Sequence, residues 1–220
     1  MRVLLLGASG GVGQQLVHQA RQAGHKVTVL TRGESGYQAP PSVVHYRGSV
    51  LDATTLAVAM AGQDVVLSAV GIRRQSVANP WSSLTSPADF CSHSMRLIVT
   101  SMLQYGVPRI VAVSAAGVAE SASQMNALMQ FFVRTSSIGV AYHDLALMEQ
   151  VLAQSTVDWL APRPTRLTNG ELRAVQVVPD FPMQAAISRT SLAHWMVSAL
   201  NVPTWPAPQW QGRRPQLAES

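Results

Sequence analysis

The chain opens on an unbroken apolar run, Val3-Leu4-Leu5-Leu6, that stops at a glycine. A short continuous run ended by a turn residue is the pattern of a strand buried on both faces. From Val12 the period changes. Apolar residues recur at Leu16, Val17 and Ala20 until Gly24, which predicts a helix over 11–23 with a glycine just past its end. A second strand follows at 26–31. The exchange then continues through a strand at 43–47, a helix at 52–61, a strand at 64–69, a helix at 87–104 and a strand at 109–113. Strands that alternate with helices imply parallel pairing through crossover helices. The expected fold is therefore α/β, a doubly wound parallel sheet in the order 3-2-1-4-5-6, forming a single domain over 1–220.

After Ser114 the pattern loosens. Met125, Leu128, Met129 and Phe132 recur at helical spacing, a face expected to pack in the core and also suited to a flat aromatic ligand. A helix at 143–154, a strand at 157–161 and a helix at 190–200 come next. Segments 115–150 and 162–190 are expected to form the substrate side. The proline- and tryptophan-rich stretch 203–220 reads as an extended tail.

Composition narrows the function classes. Apolar residues make up 47% of the 220 positions and charged residues 12%, enough to bury a core without disulfides or metal. The longest apolar runs fall far short of a bilayer span, and no signal-peptide pattern is seen. Cys91 is the single cysteine, expected to be simply packed, and no Cys/His group has zinc-like spacing. A cytoplasmic setting, with no metal and no membrane, is the expectation. The net charge of +5 comes from 15 arginines and one lysine, Lys26, spread along the chain without a basic stripe. Nucleic acid is therefore not the expected partner.

The chemistry begins at Gly7-Ala8-Ser9-Gly10-Gly11-Val12-Gly13, placed directly after the first strand and opening the first helix. Gly7 permits the tight turn, Gly10 lets backbone approach a pyrophosphate, and Gly13 lets helix and sheet pack closely. The helix N-terminus supplies N–H groups and Ser9 a hydroxyl. At the end of the second strand, where a carboxylate would hold the ribose hydroxyl of NAD, stand Thr31 and Arg32, groups suited to a 2′-phosphate. NADP(H) is accordingly expected in preference to NAD(H), with Glu34 as a competitor for Arg32.

These residues, with Gly48-Ser49-Val50-Leu51-Asp52, Val66-Leu67-Ser68-Ala69-Val70-Gly71, Asp144, Met148-Glu149, Val157-Asp158-Trp159, Arg163-Pro164-Thr165-Arg166-Leu167 and Ile187-Ser188-Arg189, resemble the atypical short-chain dehydrogenase/reductases. The resemblance covers about residues 1–200. It is to the NAD(P)H-binding branch related to biliverdin reductase B/flavin reductase and to NmrA-like proteins, and it implies a Rossmann-like domain. By position it places Ser49 and Val50 near adenine, Ala69, Val70 and Gly71 along the nicotinamide ribose, and Ser114 and Pro164 around the nicotinamide. The family often has aspartate where this chain has Ser49, so the adenine contact there is weaker or made by backbone.

Ordinary short-chain reductases use a Tyr-x-x-x-Lys pair, in which lysine eases proton transfer from the phenol. That pair is impossible here. Tyr142 is followed four residues on by Ala146 and Tyr105 by Arg109, and the family's usual serine falls at Ala115, one residue after Ser114. One implied function is a reductase that passes hydride from NADPH to a conjugated acceptor such as a flavin, quinone or tetrapyrrole, with Ser114, Tyr142 or His143 donating a hydrogen bond. The alternative is a non-catalytic NADP(H) sensor of the NmrA-like type; a nucleotide-sugar epimerase or dehydratase, which wants the missing pair, ranks below both. His143 and His93 read first as solvent-facing helix residues, and Asp144 and Glu149 as helix-start and surface carboxylates. The insertion 72–86, with Arg73, Arg74 and Trp81, reads as a lid that suits an anionic, aromatic acceptor.

Overall fold

A computed structural model describes residues 1–76, 78–179, 184–210 and 212–220. Its centre is a parallel sheet of β1 (Arg2–Leu6), β2 (Lys26–Thr31), β3 (Val44–Arg47), β4 (Val65–Ser68), β5 (Arg109–Ala112) and β6 (Asp158–Leu160), in the expected order β3-β2-β1-β4-β5-β6. Period-two alternation divides β1 between two cores. Val3 and Leu5 join the cluster under α1 (Gly11–Gln22) and α6 (Arg189–Ala199), whereas Leu4 and Leu6 join the one under α2 (Ala53–Met60), α3 (Phe90–Tyr105) and α5 (Ser137–Gln154). Burial on both faces explains why β1 and β4 read as continuous apolar runs.

Two elements depart from the sequence reading. The helix expected to start at 143 starts at Ser137, directly after α4 (Ala127–Thr135), with the Ser136 hydroxyl accepting from Ile138 N–H. A side chain at Gly139 would meet the Val133 carbonyl at 1.9 Å, so the helix–helix junction requires glycine there. Asp144 and Glu149 consequently lie well inside the helix, on its buried face, and are not surface carboxylates. Asp144 accepts from the Cys91 and Ser92 N–H groups at 2.6 and 3.0 Å, capping α3 from a different helix, while Asp89 at the N-cap position makes no side-chain cap. His93 is exposed.

The described residues of 203–220, expected as an extended tail, are built into the fold. Trp205 and Trp210 are buried and cluster with Trp195, because aromatic rings of that size gain more from burial than the short loop loses in freedom. Beyond them β11 (Gln216–Glu219) inserts between β7 (Arg163–Pro164) and β9 (Val175–Val177) to form a small second sheet. A further parallel pair, β8 (Arg166–Thr168) with β10 (Ala186–Ser188), lies beside it.

Candidate functional site

The glycine loop turns between β1 and α1 at the carboxyl edge of the sheet. Gly7 has φ +85°, and a side chain on it would meet the Ala69 carbonyl at 2.5 Å; one on Gly13 would meet the Gly7 carbonyl at 2.0 Å. These two positions serve the close approach of helix to sheet. Gly10 differs: its conformation is extended and a side chain there would meet only the Gly7 carbonyl, at 3.4 Å, so the space it leaves faces outward. It also caps α1 without a side chain, and no acidic residue stands in the first turn, leaving first-turn N–H groups for an anion.

Above this loop lies a cavity of about 210 Å³ lined by Gly7, Ser9, Gly10, Thr31, Arg32, Val50, Ala69, Val70 and Gly71, together with Ile72, Arg73 and Phe90. Six expected contacts stand apart from its lining, two of which, Ser114 and Pro164, line a second cavity. Gly13 is packed beneath Gly7, Val12 packs toward the core under α6, and Gly11 faces the Arg189 side chain. The Ser49 hydroxyl accepts from Leu51 N–H at 3.1 Å and so serves its own turn.

At the far end of β2 the Thr31 hydroxyl is hydrogen-bonded to His45 Nε2 at 2.8 Å. Arg32 is exposed and shares a smaller recess of about 170 Å³ with Thr31, His45 and Arg47. Arg47 escaped the sequence reading. Its signal was the parallel pairing itself: Thr31 and Arg47 are register partners, so the ends of the second and third strands present their side chains side by side.

A second cavity, of about 410 Å³, lies beyond the first and shares Ile72 with it. Ser114, Tyr142 and Pro164 line it, as do Met129 from the methionine face and two arginines, Arg74 and Arg166. Met125 is buried beneath, against Gly117, while Leu128 points away and is exposed. Burial pushes the Tyr142 phenol above its ordinary pKa. The insertion 72–86 closes on itself through an antiparallel Arg74–Leu84 bridge and docks on the helices. Ser137 donates from its backbone and hydroxyl to the Pro80 carbonyl at 3.1 and 2.7 Å, and Trp81 packs on Phe132. His143, offered as a hydrogen-bond donor, is exposed and outside both cavity linings: one residue on from Tyr142 turns the side chain about 100° around the helix.

Ser114 follows β5, and its loop is stitched to the one after β6 by Ser114 N–H donating to Pro162 O and Ala116 N–H to Pro164 O. Its hydroxyl donates to Glu149 Oε1 at 2.6 Å. Arg163 grips the same carboxylate from Nε at 2.9 Å and Nη2 at 2.6 Å, and its outer edge reaches Glu120 at 2.8 and 3.2 Å. Arg214 Nε lies 3.0 Å from Glu149 Oε2, an ion contact without hydrogen-bond alignment. Glu149 and Arg163 are both buried, so their desolvation is offset only because each is held by several partners. Among the described residues no cluster of His, Cys, Asp or Glu is arranged to hold a metal ion.

Solved structures similar to the chain cover nearly its whole length at low identity. The ChuY anaerobilin reductase of Escherichia coli O157:H7 matches at 19% identity and TM-score 0.76, over 100% of this chain and 97% of that one. A short-chain dehydrogenase/reductase of Veillonella parvula DSM 2008, solved in complex with NADP, matches at 18% and 0.76, over 99% and 94%. A Rossmann-fold NAD(P)-binding family protein of Shigella flexneri matches at 18% and 0.69, over 99% and 93%. Such likenesses establish the Rossmann fold. The model of the NAD(P)H-binding family matches residues 7–203, and on that match the chain belongs to the NAD(P)H-binding family.

Proposed function

We propose that the protein is an NADPH-dependent oxidoreductase that reduces a small conjugated acceptor, of flavin, quinone or tetrapyrrole-like type. The observation that carries this is the adjacency of two cavities that share Ile72 in their walls: a glycine-floored cleft lies beside a larger space walled by Met129, Tyr142 and Pro164 and bearing Arg74 and Arg166. The fold-level likeness to an anaerobilin reductase supports a tetrapyrrole-like acceptor.

The residues present fit a dinucleotide, since the outward space at Gly10 and the uncapped first turn of α1 together form a cradle for a pyrophosphate. Arg32 and Arg47 would hold a 2′-phosphate, and Ala69–Gly71 would line the ribose next to the acceptor. Bound NADPH supplies a hydride. The chain's own part is to orient the acceptor face, exclude water with its apolar walls, and balance negative charge on the acceptor with Arg74 and Arg166. The described residues of segments 115–150 and 162–190 form this acceptor side, while 180–183 lie outside the described residues. Tyr142 stays a neutral phenol and, with no lysine beside it, serves as a hydrogen-bond donor and not as a proton exchanger. An acceptor that spreads the incoming charge over a conjugated system needs no more than that. The single buried thiol fits a reducing, cytoplasmic setting.

The test is NADPH oxidation at 340 nm against FMN, riboflavin, a quinone and a linear tetrapyrrole. Rates that saturate in acceptor, with NADPH preferred over NADH, support the proposal. Tight NADPH binding with no oxidation against the whole panel would assign the chain as an NADP(H) sensor instead.

A further inference from the structure

The hydrogen bond at Ser114 has a direction, and the direction has chemical content. A hydroxyl carries one hydrogen, and Ser114 commits it to Glu149 at 2.6 Å. Glu149 is an acceptor on both oxygens, with Arg163 donating to each and Arg214 against one. The backbone N–H of Ser114 is taken by Pro162 O. What remains for the cavity is the pair of lone pairs on Ser114 Oγ, in a wall that continues as Ala115 and Ala116. Apolar side chains would fill the space behind that wall at lower desolvation cost than a carboxylate and guanidinium groups; what the charged cluster adds is a hydroxyl with fixed polarity.

We propose that Glu149 is a positioning residue that turns Ser114 into a hydrogen-bond acceptor, so that the cavity selects ligands presenting an N–H donor to this wall and disfavours those, such as quinones, that present only carbonyl oxygens. This rests on the acceptor-cavity reading above and narrows it. Ser114 then acts opposite to a carbonyl-polarising serine. A donor group on the ligand finds a partner there; a ligand oxygen meets lone pairs and loses its water without replacement.

Lumiflavin and 3-methyllumiflavin make a matched pair of probes, the second having its one ring N–H replaced by N–CH3. Their binding to the protein without cofactor is read by flavin fluorescence. The expected result is about tenfold tighter binding of lumiflavin, the ratio one hydrogen bond in a desolvated site supports. Ser114→Ala, which leaves the Glu149–Arg163 pair intact, should bring that ratio near one by weakening lumiflavin alone. Glu149→Gln, whose amide N–H can donate to Ser114 Oγ, should shrink the ratio with Ser114 still present. No preference in the parent protein, no binding of either flavin, an unchanged ratio in Ser114→Ala, or a gain for the methylated flavin alone, which marks a steric effect, each overturns the proposal. A folded Glu149→Gln protein that keeps the full ratio overturns the role of Glu149. NADPH oxidation by the same preparations separates the two readings: turnover without a flavin preference sinks only this inference, and a preference without any turnover sinks only the reductase.

Discussion

Gly10 and Gly13 stand three residues apart and do different work. Alanine at 13 would drive its methyl into the Gly7 carbonyl at 2.0 Å, so Gly13→Ala should lower the melting temperature as well as cofactor binding. Gly10→Ala meets nothing closer than 3.4 Å and has an extended φ that alanine adopts freely, so it should melt within about 2 °C of the parent while NADPH affinity, read by fluorescence titration, falls at least about tenfold. The arginines test the 2′-phosphate proposal. Arg32→Ala and Arg47→Ala should each weaken NADPH by about 1 kcal/mol and leave NADH unchanged; equal losses for both cofactors would remove the phosphate assignment. Cys91 is a test of burial. Burial first, and then the nearby Asp144 carboxylate, push its thiol up to about 12, so iodoacetamide should leave the folded protein unmodified at pH 8 and alkylate it once denatured.

Helix α3 depends on a carboxylate from another element. Removing it in Asp144→Ala strands two buried N–H groups, at Cys91 and Ser92, and should cost about 2–3 kcal/mol in chemical denaturation, more than loss of an ordinary surface cap. The sequence shows why such a role is hard to see. The glycine loop, the six central strands and their order were legible because each is written in contiguous residues: an apolar run, a glycine spacing, a change of period. Asp144 and Glu149 read as helix-start and surface carboxylates because the sequence pattern opens the helix at 143 and not at 137, and because a carboxylate's burial depends on partners far along the chain, Cys91 in one case and Arg163 in the other. Arg47 was missed for a related reason. Only the pairing of β2 with β3 sets it beside Thr31 and in one recess with Arg32.

At the scale of the molecule, the C-terminal segment ties the small second sheet to α6. Glu219 accepts from Ser188 N–H and the Ser191 hydroxyl at 2.9 and 2.8 Å, joining β11 to the start of α6. Burial alone would raise its pKa, but those hydrogen bonds outweigh it and hold the carboxyl below its ordinary value. A group depressed in the folded state stabilises above its unfolded pKa, about 4.3 for glutamate, and that contribution is lost as pH falls through the folded value. Glu219→Gln should therefore be less stable than the parent at pH 7 and close the gap by pH 3, as measured by urea denaturation; a gap that is constant with pH would remove carboxylate ionisation as the cause.

The insertion of β11 between β7 and β9 also fixes an order of events during synthesis. The central sheet and the glycine loop are complete once β6 has left the ribosome, but Pro164 and Arg163 gain their strand partner, and Glu149 its second guanidinium, only when residues 214–217 emerge more than fifty residues later. A nascent chain can thus form its glycine-floored cleft well before it can finish the chamber beside it.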